Sequence, residues 1–362
     1  MSSKENFGAI VFGTNFGVNS HVAALRAAGF EVKALIGRDP EKTKTRADWA
    51  KIPLALTSLD EAIALPGVDL VSISTPPQTH AEIALAAFAA GKHVVCEKPF
   101  ARDLTEAQKM LDAAKAAGVV HVIGHEHRFD TTQSLANQAV REGMIGDPLM
   151  MTHIMELPMF ADEKAEVPDW WGDASQGGGW LGANGIHMID LARNLMGEIT
   201  GVSASLCTLS NHGWTAEDSF SIHFRTKSGA GGVLQSSISD MAPPLFATRV
   251  AGTKGALWVE GPSVFVSDAS GQRELEPGVE LVYENMPPSP NDLVETTYDV
   301  LCASANAIAP YTSLYTGVHE RMSGNEPSHP TRAATFEDGV IGQRLLDAVR
   351  QSDREGGWVE VD

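Results

Sequence analysis

An acid, a base and a proline follow one another at the end of an apolar run in the segment GKHVVCEKPFA. Glu97 and Lys98 come directly after the strand-like residues HVVC, and Pro99 then stiffens the backbone. An ammonium group held beside a substrate can polarise a carbonyl or stabilise an alkoxide. The segment therefore predicts a catalytic lysine at a strand end, with an exposed ion pair in a loop as the alternative.

A histidine stands in a second segment, GIHMIDLARNLMG, whose apolar residues have helical spacing. Histidine is the usual proton carrier near neutral pH. Asp190 follows His187 by three residues and would lie on the same face of the helix. A single histidine on an apolar helix can also be a buried packing residue, so this pattern alone leaves both interpretations open.

The stretch VFGTNFGVNSHVAAL contains an incomplete dinucleotide fingerprint, placed after the first predicted strand and at the start of a helix. The middle glycine of that fingerprint, which lets the backbone approach a pyrophosphate, is replaced by asparagine. Asparagine tolerates a left-handed backbone, and helix N-terminal amides can hold a phosphate. A plain strand-to-helix turn is the alternative. The residues predicted to bind a cofactor here are Gly13, Thr14, Asn15, Phe16 and Gly17.

The second predicted strand ends in ALIGRDP, without the acid that binds the ribose hydroxyls in NAD sites. Gly37 leaves room for a 2′-phosphate and Arg38 could bind it through two hydrogen bonds, so the segment favours NADP over NAD. Arg38 could instead be solvated or stack on the adenine of either cofactor. Thr75 and Pro76 end a later strand and would form a rigid edge of the cofactor crevice; a simple turn is the alternative.

The order of the predicted elements divides the chain at about residue 124. Up to that point strands alternate with helices, which predicts a doubly wound parallel sheet of the Rossmann type over residues 1–124. Beyond it, two helices are followed by several strands in series with short connections. We therefore predict an α/β domain with a large, open, mostly antiparallel sheet over residues 125–362.

Bulk composition excludes several classes of function. The length of 362 residues fits two domains, and the formal net charge of -19 disfavours nucleic acid and anionic membranes as partners. The three cysteines are far apart and odd in number, which indicates neither a disulfide framework nor a cysteine metal site. The run after Lys4 is interrupted by polar residues, so we expect no export signal and a cytoplasmic protein.

Three segments together resemble the Gfo/Idh/MocA oxidoreductases, a family named after glucose–fructose oxidoreductase and inositol dehydrogenase. The first segment is STPPQTHAEIALAAFAAGKHVVCEKPFA, the second is GHEHRF and the third is GGGWLGANGIHMID. The resemblance implies a nicotinamide-dependent dehydrogenase that acts on hydroxyl or carbonyl carbons, usually of sugars or polyols, and we extend the expected substrates to cyclic diols. It also implies a second domain whose open sheet builds a homo-oligomer, here expected to be a dimer or tetramer.

The resemblance assigns expected roles to residues of this chain. Lys98 and His187 are the expected catalytic pair, brought from separate domains to one reactive carbon. Further cofactor contacts are expected from His80, Glu97 and Lys98 itself. From the resemblance, substrate contacts are expected from Arg128 and His187. From their residue types and positions, His127, Trp171 and Asn184 are expected to contact the substrate as well.

One position departs from the family pattern. Common members carry an aspartate four residues before the histidine, where this chain has Ala183. Alanine cannot exchange a proton, so Lys98 and His187 would manage the acid–base chemistry without it, or the substrate would differ from a simple polyol. Two other readings stay open: transient oxidation that leads to glycoside cleavage with retained NAD, and a nucleotide-sensing relative without catalysis.

Two further clusters have competing interpretations. The segment GHEHRF could bring His125, Glu126 and His127 to one metal ion, but no convincing partners accompany them, and we predict no metal site. Trp170, Trp171 and Trp180 could stack on a sugar or pack the domain.

Overall fold

A computed structural model describes residues 6–278, 296–302 and 307–361. The chain divides into two compact units. The first contains the described parts of Met1–Phe129 and Tyr283–Val340, and the second those of Asp130–Val282 and Ile341–Asp362. The sequence predicts one domain boundary at residue 124. In the structure, the described residues of the later segment Tyr283–Val340 also belong to the first unit.

The elements are numbered in chain order. The strands are β1 (Gly8–Phe12), β2 (Glu31–Ile36), β3 (Leu54–Leu56), β4 (Leu70–Ile73), β5 (His93–Cys96), β6 (His121–Ile123), β7 (Pro148–Glu156), β8 (Ile199–Cys207), β9 (Ser219–Thr226), β10 (Gly231–Ser237), β11 (Leu245–Gly252), β12 (Ala256–Glu260), β13 (Ser263–Asp268), β14 (Gly271–Leu275) and β15 (Val359–Glu360). The helices are α1 (Val22–Ala27), α2 (Pro40–Trp49), α3 (Leu59–Ile63), α4 (His80–Ala89), α5 (Leu104–Ala117), α6 (Thr131–Arg141), α7 (Ile186–Met196), α8 (Thr297–Cys302), α9 (Ile308–Met322) and α10 (Phe336–Glu355).

The first unit is built on a parallel sheet in the order β3-β2-β1-β4-β5-β6. This confirms the predicted doubly wound sheet. The strand order reverses between β1 and β4, and such a switch point opens a ligand crevice at the carboxyl ends of the strands.

Alternating side chains of β1 explain why both faces of this sheet are covered. Ile10 and Phe12 belong to an apolar cluster with α4 and α5, while Ala9 and Val11 belong to a second cluster with α1 and α9. A central strand that is buried on both faces reads as a continuous apolar run, as GAIVF does.

Helix α9 belongs to the first unit, although it lies far beyond the predicted domain boundary. Its buried face carries Tyr311, Leu314, Tyr315 and Val318, and these side chains join the cluster around β1 and α1. No helix is predicted over these residues from the sequence. Residues 308–322 are therefore part of the nucleotide-binding unit, and the predicted contiguous second domain over 125–362 is corrected.

The second unit contains a nine-stranded sheet in the order β14-β13-β12-β11-β7-β10-β9-β8-β15. Of the strand pairs that the described residues form in this sheet, the β7–β10 pair alone is parallel, so the predicted mostly antiparallel sheet is confirmed. Helix α7 packs against β7 and β10. The stretch TRVAGTKGALWVEG forms β11, a tight turn and β12, and a Cβ atom on Gly252 or Gly255 would collide with a backbone carbonyl oxygen of a neighbouring segment.

Among the described residues, no helix combines the length and the apolar character needed to cross a membrane.

Candidate functional site

The carboxyl ends of the central strands are in register. Phe12 lies beside Ile73, and Ile73 beside Cys96, so β1, β4 and β5 end at the same level. Gly13, Ser74 and Glu97 follow these strands directly. The dinucleotide-like turn, the Thr75–Pro76 segment and the Glu97–Lys98 pair are therefore brought to one edge of the sheet, as the sequence predicts.

The turn after β1 passes a steric test for a dinucleotide-binding turn. Gly13 has φ +121°, and a Cβ atom there would collide with the carbonyl oxygen of Ser74. A Cβ atom on Gly17 would lie 2.9 Å from Val11 Cγ1 and closer still to the Ser74 hydroxyl. Gly13 provides the tight turn of the fingerprint's first glycine, and Gly17, one residue before the position of its third glycine, allows the close helix–strand packing.

Asn15 completes this turn in a way that the sequence does not reveal. Its backbone is not left-handed, since Lys51 is the single non-glycine residue with positive φ in the described part of the chain. Its side-chain Nδ2 instead donates to Asp299 Oδ1 at 2.8 Å. Within the described residues, the backbone N–H groups of Thr14 and Phe16 have no hydrogen-bond acceptor, so the turn keeps amide donors for a phosphate.

The end of β2 lies beside this turn. The N–H of Gly13 donates to Ile36 O at 2.9 Å, which places Gly37 and Arg38 next to the turn after β1. Arg38 is exposed, and it makes no ion pair within the described ranges of the chain. Its guanidinium is therefore available to a ligand at this strand end.

His80 ties two loops of the edge together. Its Nε2 lies 2.7 Å from Thr75 O and its Nδ1 lies 3.2 Å from Phe100 O, and the side chain is fully buried. Burial lowers the pKa of His80, although these carbonyl contacts oppose that effect. With both ring nitrogens on backbone oxygens, His80 is placed to brace the loops rather than to contact a cofactor directly.

Thr75 and Pro76 lie half-buried at the same edge. Thr79 Oγ1 donates to Thr75 Oγ1 at 2.7 Å, and it also contacts Pro76 O at 2.9 Å. These contacts fix the loop whose predicted role is the rim of the cofactor crevice.

Glu97 is held by a buried polar network, while the neighbouring Lys98 is half-buried. The Tyr311 hydroxyl donates to Glu97 Oε1, His21 Nε2 lies 3.3 Å from the same oxygen, and the N–H of Lys98 donates to Glu97 Oε2 at 3.2 Å. The Lys98–Pro99 peptide bond is cis.

The network extends beyond the carboxylate. His21 Nδ1 lies 2.7 Å from the Tyr315 hydroxyl and 3.1 Å from Ser72 Oγ, and these two hydroxyls are 2.8 Å apart. Since a carboxylate can only accept, the ring proton of a neutral His21 belongs on Nε2, which faces Glu97. A hydroxyl can donate to Nδ1, while Nε2 approaches Glu97 Oε1 to 3.3 Å without hydrogen-bond geometry.

The two carboxylates near Lys98 have opposite pKa shifts. Burial alone raises the pKa of Glu97, but His21, the charge of Lys98 and the Tyr311 hydroxyl outweigh it and bring that pKa below its usual value. Burial raises the pKa of Glu126, whose Oε2 lies 3.3 Å from the Tyr311 hydroxyl. The charge of Lys98 thus helps to keep Glu97 ionised, whereas burial makes Glu126 easier to protonate than a solvated glutamate.

In the second unit, His187 lies in the first turn of α7 and is buried. A wide π-helical turn, Leu181–Gly185, precedes it and contains Ala183 and Asn184. The Asn184 amide is buried and donates to Met188 Sδ at 3.4 Å. Asp190 accepts from Asn194 Nδ2 at 3.1 Å and lies 3.9 Å from Arg193, contacts that favour a structural role.

Three predicted substrate residues have distinct environments. Arg128 is buried, lies 3.5 Å from Asp338 and donates to Arg332 O at 3.3 Å, which favours a structural role. Trp171 is 4% exposed and packs edge-on against Phe160, so its placement favours packing over stacking on a sugar. His127 is partly exposed and remains a predicted substrate contact.

Sequence reasoning missed the residues that surround Glu97. His21, Ser72, Tyr311 and Tyr315 come from three separate regions of the chain. The one available signal was the spacing of Tyr311 and Tyr315, which places two hydroxyls on one helical face.

The parallel sheet, the glycine turn at its switch point and the lysine at the end of β5 define a dinucleotide-dependent oxidoreductase. Comparison with known proteins gives the family. Residues 7–125 match the model of the Gfo/Idh/MocA oxidoreductase family with an NAD-binding Rossmann fold, and residues 133–258 match the C-terminal domain of the same family. The chain belongs to the Gfo/Idh/MocA family, and it is an oxidoreductase that uses a nicotinamide cofactor.

Relatives that match nearly the full chain have low sequence identity to it. A levoglucosan dehydrogenase of Pseudarthrobacter phenanthrenivorans is 38% identical over 143 residues, which span 40% of this chain and 37% of that protein. Glucose-fructose oxidoreductase domain-containing protein 2 of Xenopus laevis is 27% identical over 97% of this chain and 93% of its own length. A levoglucosan dehydrogenase structure in complex with NADH is 25% identical, with a TM-score of 0.83, and the match covers 99% of this chain and 100% of that one.

Proposed function

We propose that this protein transfers a hydride between the nicotinamide and a hydroxyl or carbonyl carbon of a sugar, polyol or cyclic diol. The observation that carries the proposal is the common level at which β1 and β5 end, which sets the dinucleotide turn and Lys98 at one sheet edge. The sugar-related names of the similar proteins support the substrate class, including levoglucosan dehydrogenase and 1,5-anhydro-D-fructose reductase.

The bound cofactor would supply or accept the hydride. Backbone amides of the turn after β1 would hold its pyrophosphate, and Lys98 would stabilise the alkoxide or carbonyl oxygen of the substrate. His187 would give or take the hydroxyl proton, with no aspartate at Ala183 to assist it.

A substrate screen tests this proposal. Sugars, anhydrosugars, polyols and cyclic diols are offered with NAD or NADP, and the absorbance of reduced cofactor is followed. We expect net cofactor reduction with at least one class. Glycoside cleavage without net reduction would support transient oxidation instead, and cofactor binding without turnover on the whole panel would contradict the proposal.

Cofactor preference is a finer proposal, namely that NADPH binds at least as tightly as NADH. It is supported by Gly37 in place of an acid and by the exposed Arg38, for which no described residue supplies an ion-pair partner. We expect Arg38→Ala to weaken NADPH binding by about tenfold, because a guanidinium–phosphate contact is lost, and to leave NADH binding nearly unchanged. Dissociation constants from cofactor fluorescence measure both effects.

Lys42→Ala is the control for Arg38→Ala, since it removes an exposed positive charge of α2 just beyond the β2 end. Equal losses of NADPH affinity in the two variants would show only a general charge effect. A wild-type protein that binds NADH far more tightly than NADPH would contradict the proposed preference.

We also propose that the open face of the nine-stranded sheet forms a homodimer or homotetramer. Met150 and Leu245 are 64% and 44% exposed on this face, and Trp258 stacks on Phe265 there with ring centroids 5.6 Å apart. Apolar side chains clustered on a sheet face are typical of an interface.

We place this oligomer in the cytoplasm, in keeping with free Cys96 and Cys207.

Met150→Lys should dissociate the oligomer, because it would bury an unpaired ammonium group in the interface. An unpaired buried charge costs about 3–5 kcal/mol. Light scattering coupled to size exclusion gives the mass. Leu54→Lys is the matched control, since Leu54 is 42% exposed on the edge strand β3 of the other unit. A monomeric wild-type protein, or equal dissociation in both variants, would contradict this interface.

A further inference from the structure

The buried environment of Glu97 is far more elaborate than a strand end requires. Glu97 is 5% exposed, and His21, Ser72, Tyr311 and Tyr315 around it are fully buried. A buried carboxylate is tolerated only when hydrogen bonds and an opposite charge compensate for its lost hydration. Tyr311 and His21 contact the Glu97 carboxylate directly, and Tyr315 and Ser72 hold His21 from behind.

Glu97 connects this network to the backbone of Lys98. One carboxylate oxygen, Oε1, contacts Tyr311 and His21, and the other, Oε2, accepts the N–H of Lys98. Movement of the carboxylate would therefore also release the peptide group from which the Lys98 side chain extends. Since hydride transfer tolerates little displacement of the group that stabilises the substrate oxygen, the position of this peptide matters for the rate.

The same network touches the dinucleotide turn. The Phe16 ring packs edge-on against His21, with centroids 5.3 Å apart, and against Tyr311 at 5.7 Å. Phe16 belongs to the turn after β1, so two of the residues that hold Glu97 also support the predicted phosphate-binding segment. One buried cluster thus joins both halves of the site within the first unit.

We propose that Tyr311 and His21 are positioning residues that fix Lys98 by holding the Glu97 carboxylate. This inference rests on the proposed role of Lys98 in hydride transfer. It assigns a function to α9, which lies more than 200 residues after Glu97 in the chain (a separation of 214 for Tyr311) and nevertheless completes the site.

Tyr311→Phe and Tyr315→Phe form a matched pair for the test. Both remove one hydroxyl from a fully buried tyrosine of α9, one helical turn apart. Only the Tyr311 hydroxyl reaches Glu97, whereas the Tyr315 hydroxyl contacts His21 and Ser72. We expect Tyr311→Phe to lower kcat by about tenfold or more, as the loss of a hydrogen bond to a charged group implies, and Tyr315→Phe to lower it clearly less. KM for cofactor should change little in either variant.

A readout without turnover accompanies the kinetics. We expect hydrogen exchange at the Lys98 amide to become faster in Tyr311→Phe than in Tyr315→Phe, because its acceptor is no longer held. Should Tyr311→Phe fail to fold, His21→Gln tests the same contact from the other side, with the same expected loss of kcat and faster exchange.

A double-mutant cycle decides whether Tyr311 acts through Glu97. In a Glu97→Gln background, Tyr311→Phe should lower kcat by a much smaller factor than it does in the wild-type background. Additive losses, or equal kinetic and exchange effects of the two tyrosine variants, would overturn the inference. Failure of the proposed function would look different: the wild-type protein would show no hydride transfer, or Lys98→Ala would keep wild-type activity.

Discussion

Lys98→Ala is expected to lower kcat for hydride transfer by about 10²- to 10³-fold, the loss typical of removing one preorganised group that stabilises an oxyanion. The half-buried ammonium follows β5 beside an ionised Glu97, at the level where the dinucleotide turn begins. Arg102, the other positively charged residue between β5 and α5, is exposed and paired with Glu106, so it is not placed to replace Lys98. Single-turnover absorbance of the reduced nicotinamide measures the chemical step directly.

The binding data distinguish this role from a structural one. We expect the dissociation constant of NADH to change by much less than kcat, because the backbone amides of the turn after β1 are untouched. Lys109→Ala is the control, since Lys109 is an exposed lysine on α5 and should leave both quantities unchanged. A fully active Lys98→Ala enzyme would contradict the catalytic assignment.

Gly13→Ala is expected to lower the free energy of unfolding by about 2–6 kcal/mol, the sum of backbone strain and overpacking. Gly13 has φ +121°, and its added Cβ would meet the Ser74 carbonyl oxygen, which belongs to the backbone and cannot turn aside. The variant should also lose the stabilisation that NADH gives the wild-type protein, because the same turn provides the predicted phosphate-binding amides. Denaturant unfolding with and without NADH measures both effects.

Gly91→Ala separates local crowding from positive φ alone. Gly91 has φ +67°, and a Cβ atom there would meet nothing within 4 Å. We expect a cost of about 1–2 kcal/mol, the cost of a left-handed backbone at a residue with a side chain, and an unchanged response to NADH. If Gly13→Ala were as stable as Gly91→Ala and responded equally to NADH, the tight turn would not be a cofactor cradle.

Local patterns in the sequence were sufficient for the parallel sheet and for the edge where its loops meet. Apolar runs such as GAIVF alternate with helices that end at glycines, and parallel strands joined by crossovers must end on the same side. Gly13, Thr75, Glu97 and Lys98 could therefore be assigned to one edge from their positions after successive strands. Serial short strands likewise sufficed for the antiparallel character of the second sheet.

The partners of these residues were decided only in three dimensions. Tyr311 and Glu97 are 214 residues apart, and no local pattern links a tyrosine on one helix to a carboxylate after a distant strand. His80 and Arg128 looked like ligand contacts by their motifs, but His80 braces two carbonyls and Arg128 pairs with Asp338. Burial and hydrogen-bond complementarity depend on which segments pack together, so the sequence by itself determined the strand ends and their chemistry, and the tertiary structure determined what holds that chemistry in place.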